Sequence, residues 1–331
     1  MYEIKYHDKD LSQFSFLVTG GAGFIGSNIV EYLLKYGARK VRVLDNLSTG
    51  MLSNMDGFMN NPAFEFIKGD IRDLDTCRKA CEGINYISHQ AALGSVPRSI
   101  KEPENTNAVN VSGFVNMLIA AKDEKVSRFV YASSSSVYGD EKSLPKIEEK
   151  IGNPLSPYAV SKYTNELYSK VFQSVYGLQI VGLRYFNIFG PRQDPNGEYA
   201  AVIPLFVSRI MKREQVFIDG DGEQTRDFTF VENAVQANVK AMLSENEEVA
   251  GNVYNIAVGE NFSVNRLYNE TQKLLNSDHK ATYRETRKGD IRNSLADISK
   301  AQNILGYKPE FYFSKGLGIT VSYFKEHFQK N

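Results

Sequence analysis

The sequence predicts an α/β protein: a doubly wound parallel sheet with a second, smaller α/β lobe that binds substrate. Three observations carry this. Short apolar runs alternate with segments of helical period through the first half of the 331 residues, as βαβ units require. A glycine-rich turn, VTGGAGFIGSN, stands between the first such run and the first helical segment. Beyond FNIFGPRQDPNG the alternation becomes irregular, and Pro191, Pro195 and Gly197 mark a boundary rich in loop residues.

Taken in order, the first strand is FSFLVT (14–19), followed by a helix over 24–37 that Gly37 stops. Strands VRVLD (41–45) and FEFIKGD (64–70), a helix near 73–82 and strand INYISHQ (84–90) come next. A long helix around 104–124 precedes strand RFVYASS (128–134), and a helix over 157–176 precedes LQIVGLRYF (178–186). The second half reads as a helix near 203–212, strand QVFI (215–218), helices near 231–244 and 263–276, and a last helix over 314–328. Residues 1–188 are expected to form the first lobe, rejoined by about 227–257, and residues 189–331 the second.

Composition narrows the class. Lys plus Arg and Asp plus Glu both number 39, so no global charge draws the chain to nucleic acid or to a membrane surface. The apolar runs fall short of a bilayer span, and the opening MYEIKYHDKDLSQ lacks the apolar stretch of an export signal. A soluble, cytoplasmic protein is expected. The two cysteines, Cys77 and Cys81, lie one helical turn apart, which rarely allows a disulfide. The four histidines, His7, His89, His279 and His327, have no metal-ligand spacing with them, so no metal is expected.

The glycine turn is the first functional signal. Gly20, Gly23 and Gly26, with Phe24 and Ile25 among them, would let a pyrophosphate approach the backbone at a helix N-terminus. Asp45 ends the next strand about twenty residues on, where a carboxylate accepts ribose hydroxyls and repels a 2′-phosphate. Together these read as a Rossmann-type dinucleotide unit selecting NAD over NADP. Asn46, Ser48 and Gly50 follow Asp45 in DNLSTG and are assigned to the same cofactor. So are Asp70 and Ile71 in GDIRD, and Gln90, Ala91 and Ala92 in HQAAL, at the carboxyl ends of later strands. Helix capping is the alternative for both Asp45 and Asp70.

The second signal is SPYAVSKYTNEL. Tyr158 and Lys162 stand four residues apart on one helix face, either as plain surface or as a proton-transfer pair. Ser133 to Ser136 end the strand before that helix. A hydroxyl, a phenol and an ammonium can therefore converge at the ligand-binding edge of the sheet.

Together, TGGAGFIG (19–26), DNLSTG (45–50), SSSSVYG (133–139), YAVSK (158–162) and LRYFN (183–187) resemble the extended short-chain dehydrogenase/reductases from residue 14 onward. The resemblance implies that Tyr158 is the catalytic base and acid, that Lys162 holds the nicotinamide ribose and depresses the phenol pKa, and that Ser134 hydrogen-bonds the reacting oxygen. It also places Ser133, Asn110 and Tyr185 with the cofactor and Asn187 at a substrate phosphate. Dehydratases of this family carry Asp-Glu directly after the catalytic hydroxyl, and decarboxylases a glutamate at the second of those places. Here they are Ser135 and Ser136, which leaves reversible oxidation and reduction at one carbon.

The finer resemblance is to UDP-N-acetylglucosamine 4-epimerases. It implies that Arg226 and Arg287 clamp the diphosphate, that Asp290 holds a ribose hydroxyl, and that Gly94, Ser95, Ser136, Gln193, Val202 and Ser294 surround the UDP-sugar. Serine at 294 leaves room where galactose-type epimerases carry tyrosine, which favours N-acetylated sugars. UDP-glucuronate 4-epimerases share the serine run and are the nearest rival. A sugar reductase would need NADPH, against which Asp45 argues. A non-catalytic NAD sensor or scaffold is the reading from another class. The resemblance further implies a homodimer.

Overall fold

In a computed structural model, which describes residues 1–197, 200–286 and 292–328, the chain opens with a segment packed on the sheet lobe. β1 (Ser15–Thr19) follows, buried along its length, as a central parallel strand covered on both faces must be. It enters the glycine turn, then α1 (Phe24–Lys35), β2 (Lys40–Asp45) and β3 (Phe64–Lys68). α2 (Leu74–Cys81) starts at Asp73, whose carboxylate accepts the Asp75 N–H. After β4 (Tyr86–His89) come α3 (Val96–Lys101) and α4 (Pro103–Asn107), then a π turn (Ala108–Gly113) that continues as α5 (Phe114–Asp123).

The helix expected around 104–124 runs unbroken from 103 to 123 through the π turn, and the unexpected element is the short α3 before it. Ser95 caps a short helix with Pro97 in its first turn. That helix ends at Glu102 (φ −132°, ψ 63°), because the residue before a proline is pushed out of the helical region.

β5 (Arg128–Ser134) leads to α6 (Pro157–Tyr176). Ser156 Oγ accepts the Ala159 N–H, Pro157 opens the first turn, and Gly177 closes the helix in the left-handed region at φ 70°. β6 (Ile180–Tyr185) completes the expected alternation. The remainder comprises β7 (Ile188–Phe189), α7 (Val202–Met211), β8 (Phe217–Asp219), β9 (Thr225–Arg226), β10 (Thr229–Phe230), α8 (Val231–Leu243), β11 (Val253–Ile256), β12 (Phe262–Ser263), α9 (Val264–Leu275), β13 (Thr282–Arg284) and α10 (Phe313–Phe328). Of the strands of two or three residues, β8 overlaps the expected QVFI, and the others have too little alternation to be read from sequence.

Seven strands form one sheet in the order β11-β6-β5-β4-β1-β2-β3, and every pairing in it is parallel. The order reverses between β1 and β4. A crevice opens at such a reversal, beyond the carboxyl ends of the strands, because the following helices leave to opposite faces. One core lies between the sheet and α1 and α8, and includes Phe16, Ile29, Leu33 and Val235. A second lies on the other face, under α2 and α5, and includes Leu17, Phe114 and Phe129. A third, around Phe206, Phe228, Leu267 and Leu317, gathers α7, α9 and α10. Both cysteines are buried and free, and burial pushes the Cys77 thiol up to about 12, which makes it inert. Among the described residues no helix is long and apolar enough to cross a membrane, and no cluster of metal-ligating side chains occurs.

Candidate active site

The glycine turn stands at the crevice between β1 and β4. Gly20 has φ +68°, and a Cβ there would meet the Ala91 nitrogen at 2.7 Å. A Cβ on Gly26 would lie 2.2 Å from the Gly20 carbonyl. The first glycine thus lets the turn pass close to the end of β4, and the third seats α1 against the turn. Helix α1 begins at Gly23 with no side-chain cap, so its first N–H groups need a partner. Gly23, Phe24, Ile25 and Gly26 all line a cleft of about 520 Å³.

The same cleft is lined by Asp45, Asn46, Ser48, Asp70, Ile71, Gln90, Ala91, Ala92 and Gly94. Asp45 Oδ2 accepts the Ala22 N–H at 3.0 Å and Oδ1 the Leu47 N–H at 2.8 Å. Burial pushes this carboxyl up, against those two bonds. It caps no helix. Neither does Asp70, since Asp73 caps α2. Hydrogen bonding to Arg72 holds the Asp70 carboxyl down at about 2, and Asn46 Nδ2 donates to it at 2.8 Å. An uncapped helix end, a turn that tolerates no Cβ and a carboxylate at the end of β2 fit a dinucleotide. Gly50 lies behind this wall, its Cβ position 3.0 Å from Asp45 Oδ2.

At the other end of the cleft stand Ser133, Ser134, Tyr158, Lys162, Tyr185, Asn187 and Gln193. Strand β5 delivers the serines and α6 delivers the phenol and the amine. Tyr158 is half-buried and lines the cleft beside Ser134. Lys162 is buried, and its Nζ donates to the Ala132 carbonyl at 2.8 Å. Tyr185 Oη donates to Gln90 Oε1 at 3.1 Å and accepts from Asn238 of α8 at 2.7 Å. Asn110 does not itself line the cleft. From the π turn its carboxamide accepts the Leu93 N–H at 2.8 Å and donates to the Leu93 carbonyl and to Ser161 Oγ. It braces the strand end to α6, beside Lys162.

One expectation fails here. Burial pushes the Tyr158 phenol up, and Ser134 opposes it; acidification by Lys162 is not found. Burial itself pushes Lys162 down to about 8, and the ammonium is directed to a carbonyl rather than to the phenol.

A testable consequence follows for stability. The unfolded lysine titrates near 10.5. Between about 8 and that value the folded state binds fewer protons than the unfolded chain, so stability from this group rises with pH. The burden of the buried charge is full below pH 8. Lys162→Met removes it, and is expected to gain up to about 3 kcal/mol at pH 7, less the hydrogen bond to Ala132. Paired thermal melts at pH 7 and pH 10 check this: the advantage of the variant should shrink at the higher pH, and an equal advantage at both would exclude Lys162 as the titrating group.

A second cavity, of about 720 Å³, shares Gly94 and Asn187 with the first and is lined by Ser95, Val202 and Arg226. Arg209 and Arg284 also line it and were not anticipated. Arg284 pairs with Asp219 where β13 and β8 meet, and Arg209 Nη1 donates to the Gln215 carbonyl at 3.1 Å. No motif marked either arginine, because each is brought in by a short strand or a helix end. Ser136 and Ser294 line neither cavity. Ser136 Oγ donates to Ser134 Oγ at 3.0 Å, and the Ser294 N–H donates to Thr225 at 3.1 Å, next to Arg226. Arg287 and Asp290 fall outside the described residues.

Comparison with known proteins agrees with this geometry. The sequence matches the NAD dependent epimerase/dehydratase family over residues 16–257. A UDP-glucose 4-epimerase of Mycolicibacterium smegmatis is 36% identical over 315 residues, 95% of this chain and 99% of that protein. Among solved structures, the UDP-N-acetylglucosamine 4-epimerase of Methanobrevibacter ruminantium, in complex with UDP-N-acetylmuramic acid, is 41% identical at a TM-score of 0.89. That match covers 95% of this chain and 99% of the other. The UDP-glucose 4-epimerase of Thermotoga maritima, with UDP-glucose, is 36% identical at a TM-score of 0.89, with the same coverage. With likeness of this extent across a parallel sheet that carries the dinucleotide turn, the chain belongs to the NAD-dependent epimerase/dehydratase family.

Proposed function

We propose that the protein is a UDP-sugar 4-epimerase whose substrates are UDP-N-acetylglucosamine and UDP-N-acetylgalactosamine. The observation that carries the chemistry is the meeting of Ser134, Tyr158 and Lys162 in one cleft with the dinucleotide turn, with serine rather than a carboxylate at 135 and 136. When bound, NAD supplies the hydride acceptor and donor at C4, and its oxidised ring adds the positive charge that draws the phenol's pKa down. Tyr158 takes the proton from the sugar O4 and later returns it. Ser134 holds that oxygen, and Lys162 orients the nicotinamide ribose. The first lobe (1–188 with about 227–257) holds the cofactor, and residues 189–331 hold the nucleotide-sugar.

The second cavity suits an anionic nucleotide. Arg226 lines it, and an arginine fork can donate two bonds to a phosphate. An anchored nucleotide lets the oxidised sugar turn and present its other face, because remote binding energy retains the intermediate.

The N-acetyl preference rests on the small residue at 294, beside the strand of Arg226. Protein incubated with UDP-N-acetylglucosamine and no added cofactor should form the C4 epimer. Conversion of UDP-glucuronate alone would replace this reading with its rival, and no turnover of any UDP-sugar would leave an NAD-binding scaffold. Ser294→Tyr should suppress turnover of the N-acetylated pair by tenfold to a hundredfold, on the order of what pocket sterics achieve, while sparing UDP-glucose. An equal response by both sugar classes would exclude residue 294 from sugar selection.

A second copy of the chain is part of this reading. Along α6, Val160, Leu167, Val171 and Val175 expose between 46% and 64% of their surface, a stripe of the kind that marks a protein interface. Sedimentation should give twice the 37.3 kDa chain mass, and Val171→Asp should return it to one. Monomeric wild type would exclude the dimer.

A further inference from the structure

Neither cofactor nor substrate chemistry gives a role to the opening segment, residues 1–13, which precedes the family match. Yet Tyr2, Tyr6, His7 and Leu11 are all buried. Tyr6 stacks on Tyr32 of α1 with ring centroids 5.6 Å apart, and its hydroxyl donates to Glu232 of α8 at 3.1 Å. Tyr2 is fully buried and donates its phenolic hydrogen to Asn28 Oδ1. Asn28 Nδ2 in turn donates to the Phe24 carbonyl at 2.8 Å and to the Pro191 carbonyl at 3.2 Å.

Phe24 belongs to the first turn of α1, and Pro191 lies two residues before Gln193; both Phe24 and Gln193 line the first cavity. Asn28 therefore joins two walls of that cleft. A carboxamide can do this in one orientation only, since its flipped form would set an acceptor against two carbonyls. The Tyr2 hydroxyl completes that orientation by donating to Oδ1. Arg192 adds a parallel tie from the same loop to the Ser27 carbonyl at 3.2 Å and to Glu31.

We infer that the opening segment is a brace for the cofactor cleft, with Tyr2 acting through Asn28 as a positioning residue for the dinucleotide. The inference rests on NAD binding. Without the Tyr2 hydroxyl, Asn28 keeps its two donated bonds but Oδ1 is left a buried acceptor without a donor, which weakens the tie between the two walls. The turn and the 188–193 loop then populate several arrangements, and cofactor binding must reorder them at an entropic cost.

The test uses the full chain stripped of NAD and titrated with NAD by calorimetry. Tyr2→Phe, which removes one oxygen, should weaken NAD binding about tenfold. Tyr6→Phe is the control: it loses its hydroxyl contact with Glu232, makes no direct bond to Asn28 and leaves the Tyr2 N–H on Glu232 in place, and should bind NAD within about twofold of wild type at a similar loss of Tm. Asn28→Ala should weaken binding at least as much as Tyr2→Phe. Adding Tyr2→Phe to it should cost nothing further, because the two act through one contact. Wild-type affinity in Tyr2→Phe, an equal loss in Tyr6→Phe, or additive losses in the double variant would overturn the brace. Wild type that takes up no NAD would overturn the cofactor reading and the brace with it. If Tyr2→Phe does not fold, Asn28→Ala and the Tyr6→Phe control decide the matter.

Discussion

Tyr158→Phe is expected to fold, to retain NAD, and to lose about a thousandfold or more in turnover, within the range a positioned acid–base group contributes. The reason is local. Tyr158 lines the cleft with Ser134 and Lys162, where the proposed reaction requires a group that takes and returns the O4 proton. Its ring is half-buried, so the substitution removes one oxygen and leaves the packing in place. Steady-state rates with the best UDP-sugar, alongside NAD content after denaturation, make the measurement. Turnover within tenfold of wild type, with NAD still bound, would move the acid–base role to another residue.

The largest effect on stability is expected at Glu166, one helical turn beyond Lys162. Glu166 and Arg184 are each 3% exposed at the side chain. The guanidinium donates from Nε to Oε1 at 2.9 Å and from Nη2 to Oε2 at 2.7 Å, and Ser133 Oγ donates to the same carboxylate at 2.6 Å. Glu166→Gln keeps the shape and removes the charge, leaving Arg184 buried and uncompensated. Breaking a buried pair in this way costs about 3–5 kcal/mol, a large part of the stability of an ordinary domain. Urea melts should show a much lower midpoint at an unchanged slope. Replacing both partners at once, as Glu166→Leu with Arg184→Met, should recover most of the loss. An unchanged midpoint in Glu166→Gln would mean that the pair contributes no net stability. Because Ser133 precedes Ser134 on β5 and Glu166 follows Lys162 on α6, the Ser133–Glu166 hydrogen bond ties together the strand and the helix that carry the proposed chemistry.

Much of this site was legible without coordinates because it is built from local rules. Helix α6 has the bounds expected of it, 157–176, since Ser156, Pro157 and Gly177 act on their own neighbours. The glycine turn and Asp45 form a motif because a pyrophosphate needs small residues at fixed spacing, and all three glycines and the carboxylate line one cleft. Other parts were not legible. Arg209 and Arg284 reach the second cavity through α7 and a three-residue strand, neither of which marks function by period or composition. The short α3 was missed, although Ser95 and Pro97 were its signals.

The sequence by itself determined the alternation of strands and helices, the dinucleotide turn, and the identity of the hydroxyl, phenol and amine, because each follows from chemistry within a few residues along the chain. Only the tertiary structure decided that Lys162 is directed to Ala132 rather than to the phenol, that Glu166 meets Arg184, and that Tyr2 reaches Asn28 from the start of the chain. Those outcomes depend on burial and on partners 18 to 30 positions apart. Desolvation and long-range hydrogen bonds exist only once the sheet and its covering helices have closed.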